Sequence, residues 1–179
     1  MDDYNILNQI DQDTFSTIKL CQHKSTRKMY QVEIISKLVV EWFNIDIDKL
    51  WSDLQKLMDN PHPNIVNVVD LGQDLDNYYV LSEVVQGGKM LNRLARLKNF
   101  TEIQATYIIS QLVLGLYRIH SLNIIHGCLV PDKIWLAKQD YQSFEIKISP
   151  VRFLRAFSTR GTGNMAEPVF LDANFRSPE

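Results

Sequence analysis

The chain has 179 residues, enough for one sizeable domain or two small lobes with a buried core. A hydrophobic content of 45% and a charged content of 22% are typical of globular proteins, and a net charge of −2 argues against nucleic acid or an anionic membrane as a partner. The two cysteines, Cys21 and Cys128, are too few for a disulfide framework or a cysteine-rich zinc site, so we expect no metal and a cytoplasmic location, with the nucleus as the alternative.

Strands are predicted mainly in the first half of the chain. Five segments have the composition and spacing of β-strands: 4–10, 15–21, 29–36, 65–72 and 77–85. In the third of them Gln31 and Glu33 share one face with Ile35, which predicts that this face looks into a cleft or into solvent. Between the third and fourth strands, residues 46–58 carry apolar side chains at three- and four-residue spacings and predict a helix that ends before the prolines of "NPHPN".

Helices are predicted after the "QGG" break at residues 86–88. Residues 101–122 begin with a capping box formed by Thr101 and Gln104, which fixes the start of a helix. Apolar residues occupy most of the circumference of this segment, so we expect it to be buried on several sides. Short apolar runs after residue 124 predict small strands and a loop, and residues 152–179 lack periodicity and predict a long loop.

Several short motifs occur in the order and spacing of one known family. "YYVLSEVVQGGKMLNRL" is similar to the segment that joins the two lobes of a protein kinase, "PHPNIV" to the turn after its regulatory helix, and "FRSPE" to its Ala-Pro-Glu motif. The chain therefore resembles a eukaryotic protein kinase domain, and the insert "AKQDYQSFEIKIS" is most similar to the calmodulin- and calcium-dependent group. The resemblance implies an α+β fold: an antiparallel β N-lobe with the regulatory helix in 1–85, a hinge near 82–88, and the first part of a helical C-lobe in 86–179.

In active members of this family, a glycine-rich loop, a lysine and a glutamate hold the nucleotide phosphates. By resemblance the three glycine positions are Asp11, Asp13 and Ser16, the lysine position is Glu33, and the partner glutamate aligns with Asp53. Two carboxylates would repel a triphosphate, and two acids cannot form the ion pair of the active state.

The catalytic loop keeps its outline but not its chemistry. "IIHGCLVPDKIWL" aligns with H-R-D-L-K-P-E-N without a gap, so Cys128 replaces the catalytic Asp and Lys133 the metal-binding Asn, while Pro150 replaces the Asp of D-F-G. A neutral thiol accepts a proton poorly, an ammonium group cannot hold magnesium, and proline offers no side-chain oxygen. Lys133 could still supply a positive charge near the lost metal site, which keeps a metal-free nucleotide site open as an alternative.

By the same resemblance, the residues of the adenine pocket are replaced as well. Gln31 and Trp135 stand where a small Ala above the base and a Leu below it sandwich the ring in active kinases. Both residues are larger than their counterparts, which predicts that protein atoms fill the pocket. Ser82 and Glu83 complete the degenerate nucleotide pocket at the hinge.

These replacements together predict a pseudokinase, which acts as a scaffold or allosteric regulator by binding a protein, with an active kinase as one candidate partner. We expect no cofactor. Two alternatives stay open: a weak serine/threonine kinase that binds ATP and magnesium through rearranged contacts, and a non-functional fragment of a longer kinase-like protein. Since the family continues with further helices after the Ala-Pro-Glu motif, the remainder of the C-lobe is expected to be missing, and the helix at 101–122 would be left uncovered unless it docks on another protein.

Overall fold

The structure is a computed structural model that describes residues 1, 3–12, 16–97, 101–127, 129–140 and 143–150. Within these ranges the strands are β1 (Tyr4–Gln12), β2 (Ser16–His23), β3 (Met29–Ser36), β4 (Val68–Gln73), β5 (Asn77–Ser82), β6 (Ile134–Leu136) and β7 (Ile146–Ile148). The α-helices are α1 (Lys37–Trp42), α2 (Ile47–Asp59), α3 (Met90–Arg96) and α4 (Glu102–Ser121), and a short 3-10 helix spans Pro131–Lys133.

The first five strands form one antiparallel sheet in the order β1-β2-β3-β5-β4. β3 lies in the centre, where Glu33 is opposite Ile18 of β2 and Val80 of β5. The face of β3 that was predicted to look into a cleft or into solvent is buried, because Gln31, Glu33 and Ile35 are all covered by protein. The predicted strands are present, although β4 begins later and β5 ends earlier than expected.

Two helices pack beside this sheet. α2 begins at its N-cap Asp46, whose Oδ1 accepts a hydrogen bond from the Lys49 amide at 2.9 Å. It buries Leu50, Leu54 and Leu57, and the helix predicted over 46–58 is therefore confirmed. The six-residue α1 was not predicted.

α4 starts with the predicted capping box, in which Thr101 and Gln104 satisfy each other's backbone amides. Only one face of the helix is buried, through Ile108, Gln111, Gly115 and Ile119, so the expectation of burial on several sides was wrong for the described residues. The outer face exposes Ile103, Tyr107, Ile109, Val113, Leu114 and Tyr117. Within the described ranges, no helix is both long enough and apolar enough to cross a bilayer.

The core is continuous from the sheet to the helical part of the chain. One cluster joins Leu54 of α2 and Val80 of β5 to Ile119 of α4 and Ile148 of β7. Gln111 of α4 adds polar contacts to β7 and to the segment before β4, because its Oε1 accepts hydrogen bonds from the Ile146 amide at 3.0 Å and from the Asn64 side chain at 3.0 Å. The two parts therefore pack as a β-rich lobe on a helical lobe, and the expected α+β class is confirmed.

Candidate functional site

The junction between the two lobes is filled by an aromatic side chain. Trp135 of β6 is only 5% exposed and packs in one apolar cluster with Ile18 of β2, Val66 and Val85. These partners come from the sheet, from the segment before β4 and from the segment after β5, so the indole reaches from the helical lobe into the β-rich lobe. The cluster leaves Trp135 packed by protein atoms.

The segment that connects the lobes is hydrogen-bonded to the same short strand. The Gly87 amide donates to the Leu136 carbonyl at 3.0 Å, and the Leu136 amide donates to the Gly88 carbonyl at 2.9 Å. A Cβ on Gly87 would lie 2.3 Å from the Lys138 carbonyl oxygen and 2.6 Å from the Leu136 Cβ, so any larger residue would push the two backbones apart. The connection is therefore fixed directly beside Trp135.

Behind the indole, a buried carboxylate occupies the centre of the sheet. Glu33 is 5% exposed, and its Oε1 accepts a hydrogen bond from the Ser16 hydroxyl. Gln31 is buried two residues earlier and stands opposite Ser82, which is buried as well. The Ser16 hydroxyl and the Glu33 carboxylate thus form a hydrogen bond inside the protein, as buried polar groups usually do.

Glu83 contributes to the packing of the lobes. Its Oε1 accepts a hydrogen bond from the Asn67 amide at 2.8 Å and forms an ion pair with Lys147 of β7 at 2.7 Å. The glutamate therefore joins the segment that connects the lobes to the hairpin formed by β6 and β7.

A second charged bridge crosses the mouth of the junction. The Lys89 Nζ lies 2.8 Å from Asp11 Oδ2 of β1 and 3.1 Å from Asp132 Oδ1 in the short 3-10 helix. Burial of Lys89 lowers its pKa, but the hydrogen bonds to Asp11 and Asp132 outweigh burial and raise the pKa above its ordinary value. Asp11, one of the two carboxylates expected to repel a triphosphate, therefore shares the charge of Lys89 with Asp132.

Asp53 on α2 makes its ion pairs within its own helix. Its carboxylate lies 2.9 Å from the Lys49 Nζ and 3.1 Å from the Lys56 Nζ, while the Asp53 side chain itself is almost fully buried. The i,i+4 and i,i+3 spacings place both lysines on the face of Asp53. The described ion pairs of Asp53 therefore do not involve β3.

The loop before β6 is held by backbone contacts. The His126 Nε2 donates to the Ser149 carbonyl at 3.0 Å, and burial lowers the pKa of His126 although this hydrogen bond acts in the opposite direction. The Lys133 carbonyl accepts a hydrogen bond from the Ser149 amide at 3.0 Å, and both Lys133 and Pro150 are buried. Asp13 and Cys128 lie outside the described residues. In the part of the chain that the structure describes, no three His, Cys, Asp or Glu residues are grouped to hold a metal ion.

Comparison with known proteins decides the family. The pattern that defines the protein kinase domain matches residues 4–179. The chain belongs to the protein kinase domain family. Its kinase domain fold is also that of the solved structure "Rad53 1-466 in complex with AMP-PNP", with a TM-score of 0.71, 29% sequence identity and coverage of 82% of this chain and 38% of that one.

Two relatives match three quarters of this chain or more, and one of them is named as a calcium-dependent kinase. A probable myosin light chain kinase of Dictyostelium discoideum is 31% identical over 75% of this chain and 41% of its own length. Calcium-dependent protein kinase 4 of Plasmodium falciparum is 29% identical over 81% of this chain and 27% of its own length. This chain thus spans less than half the length of these curated relatives.

Most of the residues predicted for the degenerate nucleotide pocket lie together in one region of the structure. Ser16, Gln31, Glu33, Ser82 and Trp135 all lie at or behind the lobe junction and are buried, whereas Asp53 keeps to its own helix. Sequence reasoning missed the role of Lys89 and Asp132. Since Asp11 and Lys89 are distant in sequence, the only available signal was the lysine directly after the Gly87-Gly88 break.

Proposed function

We propose that this protein kinase domain no longer transfers phosphate and instead acts by binding a protein, as a scaffold or allosteric regulator. An active kinase is one candidate partner. The whole chain is proposed to comprise an N-lobe in 1–85, a hinge near 82–88 and part of a C-lobe in 86–179. We keep the cytoplasm as the proposed compartment, because two cysteines are too few for the disulfide framework of a small secreted domain.

The observation that carries the proposal is the burial of Trp135. Its indole packs against Ile18, Val66 and Val85 at the junction where, by family resemblance, an adenine ring would lie. A nucleotide could enter only after the indole leaves this cluster. Since fully burying a large apolar side chain contributes about 1.5–3 kcal/mol, that displacement would subtract a comparable amount from nucleotide affinity.

The charged positions support the same proposal. A buried Glu33 stands where the phosphate-binding lysine is expected. Its carboxylate accepts a hydrogen bond from Ser16, which stands at the third glycine position of the loop by resemblance. A carboxylate there would repel a triphosphate instead of attracting it. Pro150 has no side-chain oxygen for magnesium, and Lys133 would repel the ion.

Thermal unfolding with ATP tests the proposal directly. We expect the Tm of the purified chain to stay constant up to millimolar ATP, with and without magnesium, while an active calcium-dependent kinase domain measured alongside is stabilised. A ligand that binds only the folded state at 100 times its Kd stabilises by about 2.7 kcal/mol, an effect that a melting curve resolves easily. A saturable rise in Tm would contradict the loss of nucleotide binding.

A phosphoryl-transfer assay separates the proposal from the first alternative. The relatives are named as kinases, which favours a weak serine/threonine kinase as the second candidate. Under that alternative, transfer of phosphate from ATP would be measurable and would disappear in Lys133→Ala, whereas we expect none in either protein. Failure of the chain to unfold cooperatively would instead favour the non-functional fragment.

A further inference from the structure

Three large apolar side chains project into solvent at the far end of the β-rich lobe. Leu38 and Trp42 of α1 are each 75% exposed, and Leu75 in the turn between β4 and β5 is 92% exposed. The four-residue spacing of Leu38 and Trp42 puts them on one side of the helix. The Lys37 amide donates to the Asp76 carbonyl at 2.8 Å, which holds the start of α1 against the turn that carries Leu75. We call these three residues the α1 patch.

The α1 patch is held in place from beneath. Val40, on the inner side of α1, belongs to the main core cluster, so the helix is anchored without its outer residues. The turn is fixed by the Asp74 carboxylate, which accepts hydrogen bonds from the amides of Asp76 at 2.9 Å and Asn77 at 2.8 Å, and from the Tyr79 hydroxyl. A rigid, exposed apolar surface loses little conformational entropy when it binds a partner.

Acidic side chains stand at both ends of the patch. Asp74 and Asp76 are exposed in the turn, at the start of α1, while Glu41, Asp46 and Asp48 are exposed from the end of α1 to the first turn of α2. Two lysines lie nearby: the Lys37 Nζ is 5.0 Å from the centre of the Tyr78 ring, and the Lys49 Nζ is 2.9 Å from the Asp53 carboxylate. The hydrogen bond from the Tyr79 hydroxyl lowers the pKa of Asp74, and Lys37 adds a smaller effect in the same direction. The five exposed carboxylates outnumber these two cations. Leu38 and Trp42, which are four residues and therefore about 6 Å apart along the axis of α1, are thus flanked by negative charge.

This charge distribution selects among possible occupants. A second copy of the chain would bring the same acids face to face in a twofold dimer, which repels. Nucleic acid and anionic membranes are repelled for the same reason. A segment with apolar side chains between lysines or arginines satisfies both the apolar centre and its acidic ends.

We propose that the α1 patch docks a basic amphipathic segment of a partner protein. The segment inserts two apolar side chains against Leu38, Trp42 and Leu75, and its flanking cations face the acidic ends. Exposed tryptophans of this kind often carry a large part of a binding energy, which assigns the main anchor to Trp42. The inference rests on the proposed function, since it names the kind of partner that a protein-binding domain would take.

Fluorescence anisotropy of a labelled synthetic peptide tests the docking site. The probe is an amphipathic helical peptide with Leu and Trp four residues apart and Lys on either side, and its counterpart carries Glu in place of Lys. We expect the full chain to bind the Lys peptide at least tenfold more tightly than the Glu peptide, and the difference to shrink as salt rises.

Variants locate the binding on the patch. Trp42→Ser and the charge reversal of Glu41 and Asp48 to Lys are each expected to weaken binding of the Lys peptide at least tenfold. Tyr117→Ser removes an equally exposed aromatic from α4 and serves as the matched control, with no expected change. Circular dichroism and thermal unfolding of each variant check that its helix content and stability match those of the wild type.

Four outcomes would overturn the inference: no binding of the Lys peptide, equal binding of both peptides, unchanged binding by Trp42→Ser, or concentration-dependent dimers of the chain that Trp42→Ser abolishes. The result is independent of the ATP experiment. A chain that binds ATP yet retains Trp42-dependent peptide binding would contradict the proposed loss of nucleotide binding and leave the docking site intact.

Discussion

Replacement of Lys89 by Met removes the charged bridge across the lobe junction while keeping a side chain of similar length. The Lys89 Nζ contacts Asp11 in the β-rich lobe and Asp132 in the helical lobe, so one substitution breaks both contacts. It also leaves two carboxylates near each other without their shared cation. We therefore expect Lys89→Met to destabilise the contact between the lobes.

The magnitude follows from the exposure of the partners. The contact with Asp11 joins side chains that are 17% and 18% exposed, and a hydrogen bond between charged groups in such a setting contributes about 1.5–3 kcal/mol. Asp132 is 37% exposed, and solvent screening reduces its pair to about 0–1 kcal/mol. We expect a loss of about 2–3 kcal/mol in the free energy of unfolding, which corresponds to a fall in Tm of about 4–12 °C.

Urea unfolding of the wild type, Lys89→Met and Lys138→Met measures this effect. Lys138 forms an ion pair of 2.9 Å with Glu145 on the open surface, so its replacement is the matched control and should leave the stability unchanged. A double-mutant cycle with Asp11→Asn should give a favourable coupling between Asp11 and Lys89. Equal stability of the Lys89 and Lys138 variants would refute the reasoning.

The same pair makes a pH prediction. The pKa of Lys89 is raised in the folded chain, so its stabilising contribution is complete below the unfolded value of about 10.4 and is lost as the pH rises through the higher folded value. On the alkaline side, the stability difference between wild type and Lys89→Met should therefore persist up to about pH 10.4 and shrink above it. A difference that vanishes near neutral pH would contradict the assignment.

Three further predictions concern single side chains. Trp135→Ala should cost about 3–5 kcal/mol in urea unfolding because it empties the apolar cluster at the lobe junction, and a cost below about 1 kcal/mol would argue that the indole is not packed. Burial lowers the pKa of His126, so the folded chain should lose stability as the pH falls below about 6.5; His126→Gln should show a weaker loss in acid unfolding curves, and identical curves would count against this residue. Thr101→Ala should cost about 1 kcal/mol through loss of the capping box, whereas Thr101→Ser should restore most of it; an unchanged Thr101→Ala would contradict the role of the cap in stability.

Local signals in the sequence predicted the long elements well. β3 matched its predicted bounds of 29–36, and α4 began at the predicted cap, because side-chain alternation and capping act within a few residues. The short helix α1 was missed because "KLVVEW" contains two β-branched residues in six, which disfavour a helix in isolation. Its position is fixed by tertiary contacts, such as the burial of Val40 and the hydrogen bond of Lys37 to Asp76.

The sequence predicted which residues belong to the candidate site but not which residues they contact. Family resemblance identified Glu33 and Trp135 as altered residues, and the structure adds what surrounds them. The hydrogen bond from Ser16 to Glu33 and the pair of Asp11 with Lys89 join residues 17 and 78 positions apart in sequence. No periodicity encodes such pairs, since they arise only once the sheet and the segment between the lobes are folded together.

The indole of Trp135 also has a consequence for chemical probes of this domain. Under the proposed function, compounds that imitate adenine would have to displace the Trp135 indole from the lobe junction. Because the indole is part of the chain, its effective concentration at the junction stays constant however dilute the protein is. Under this proposal, inhibitor collections designed for the nucleotide pockets of active kinases are expected to be a poor source of ligands for this domain. Small molecules or peptides directed at its outer surface offer the more promising starting point.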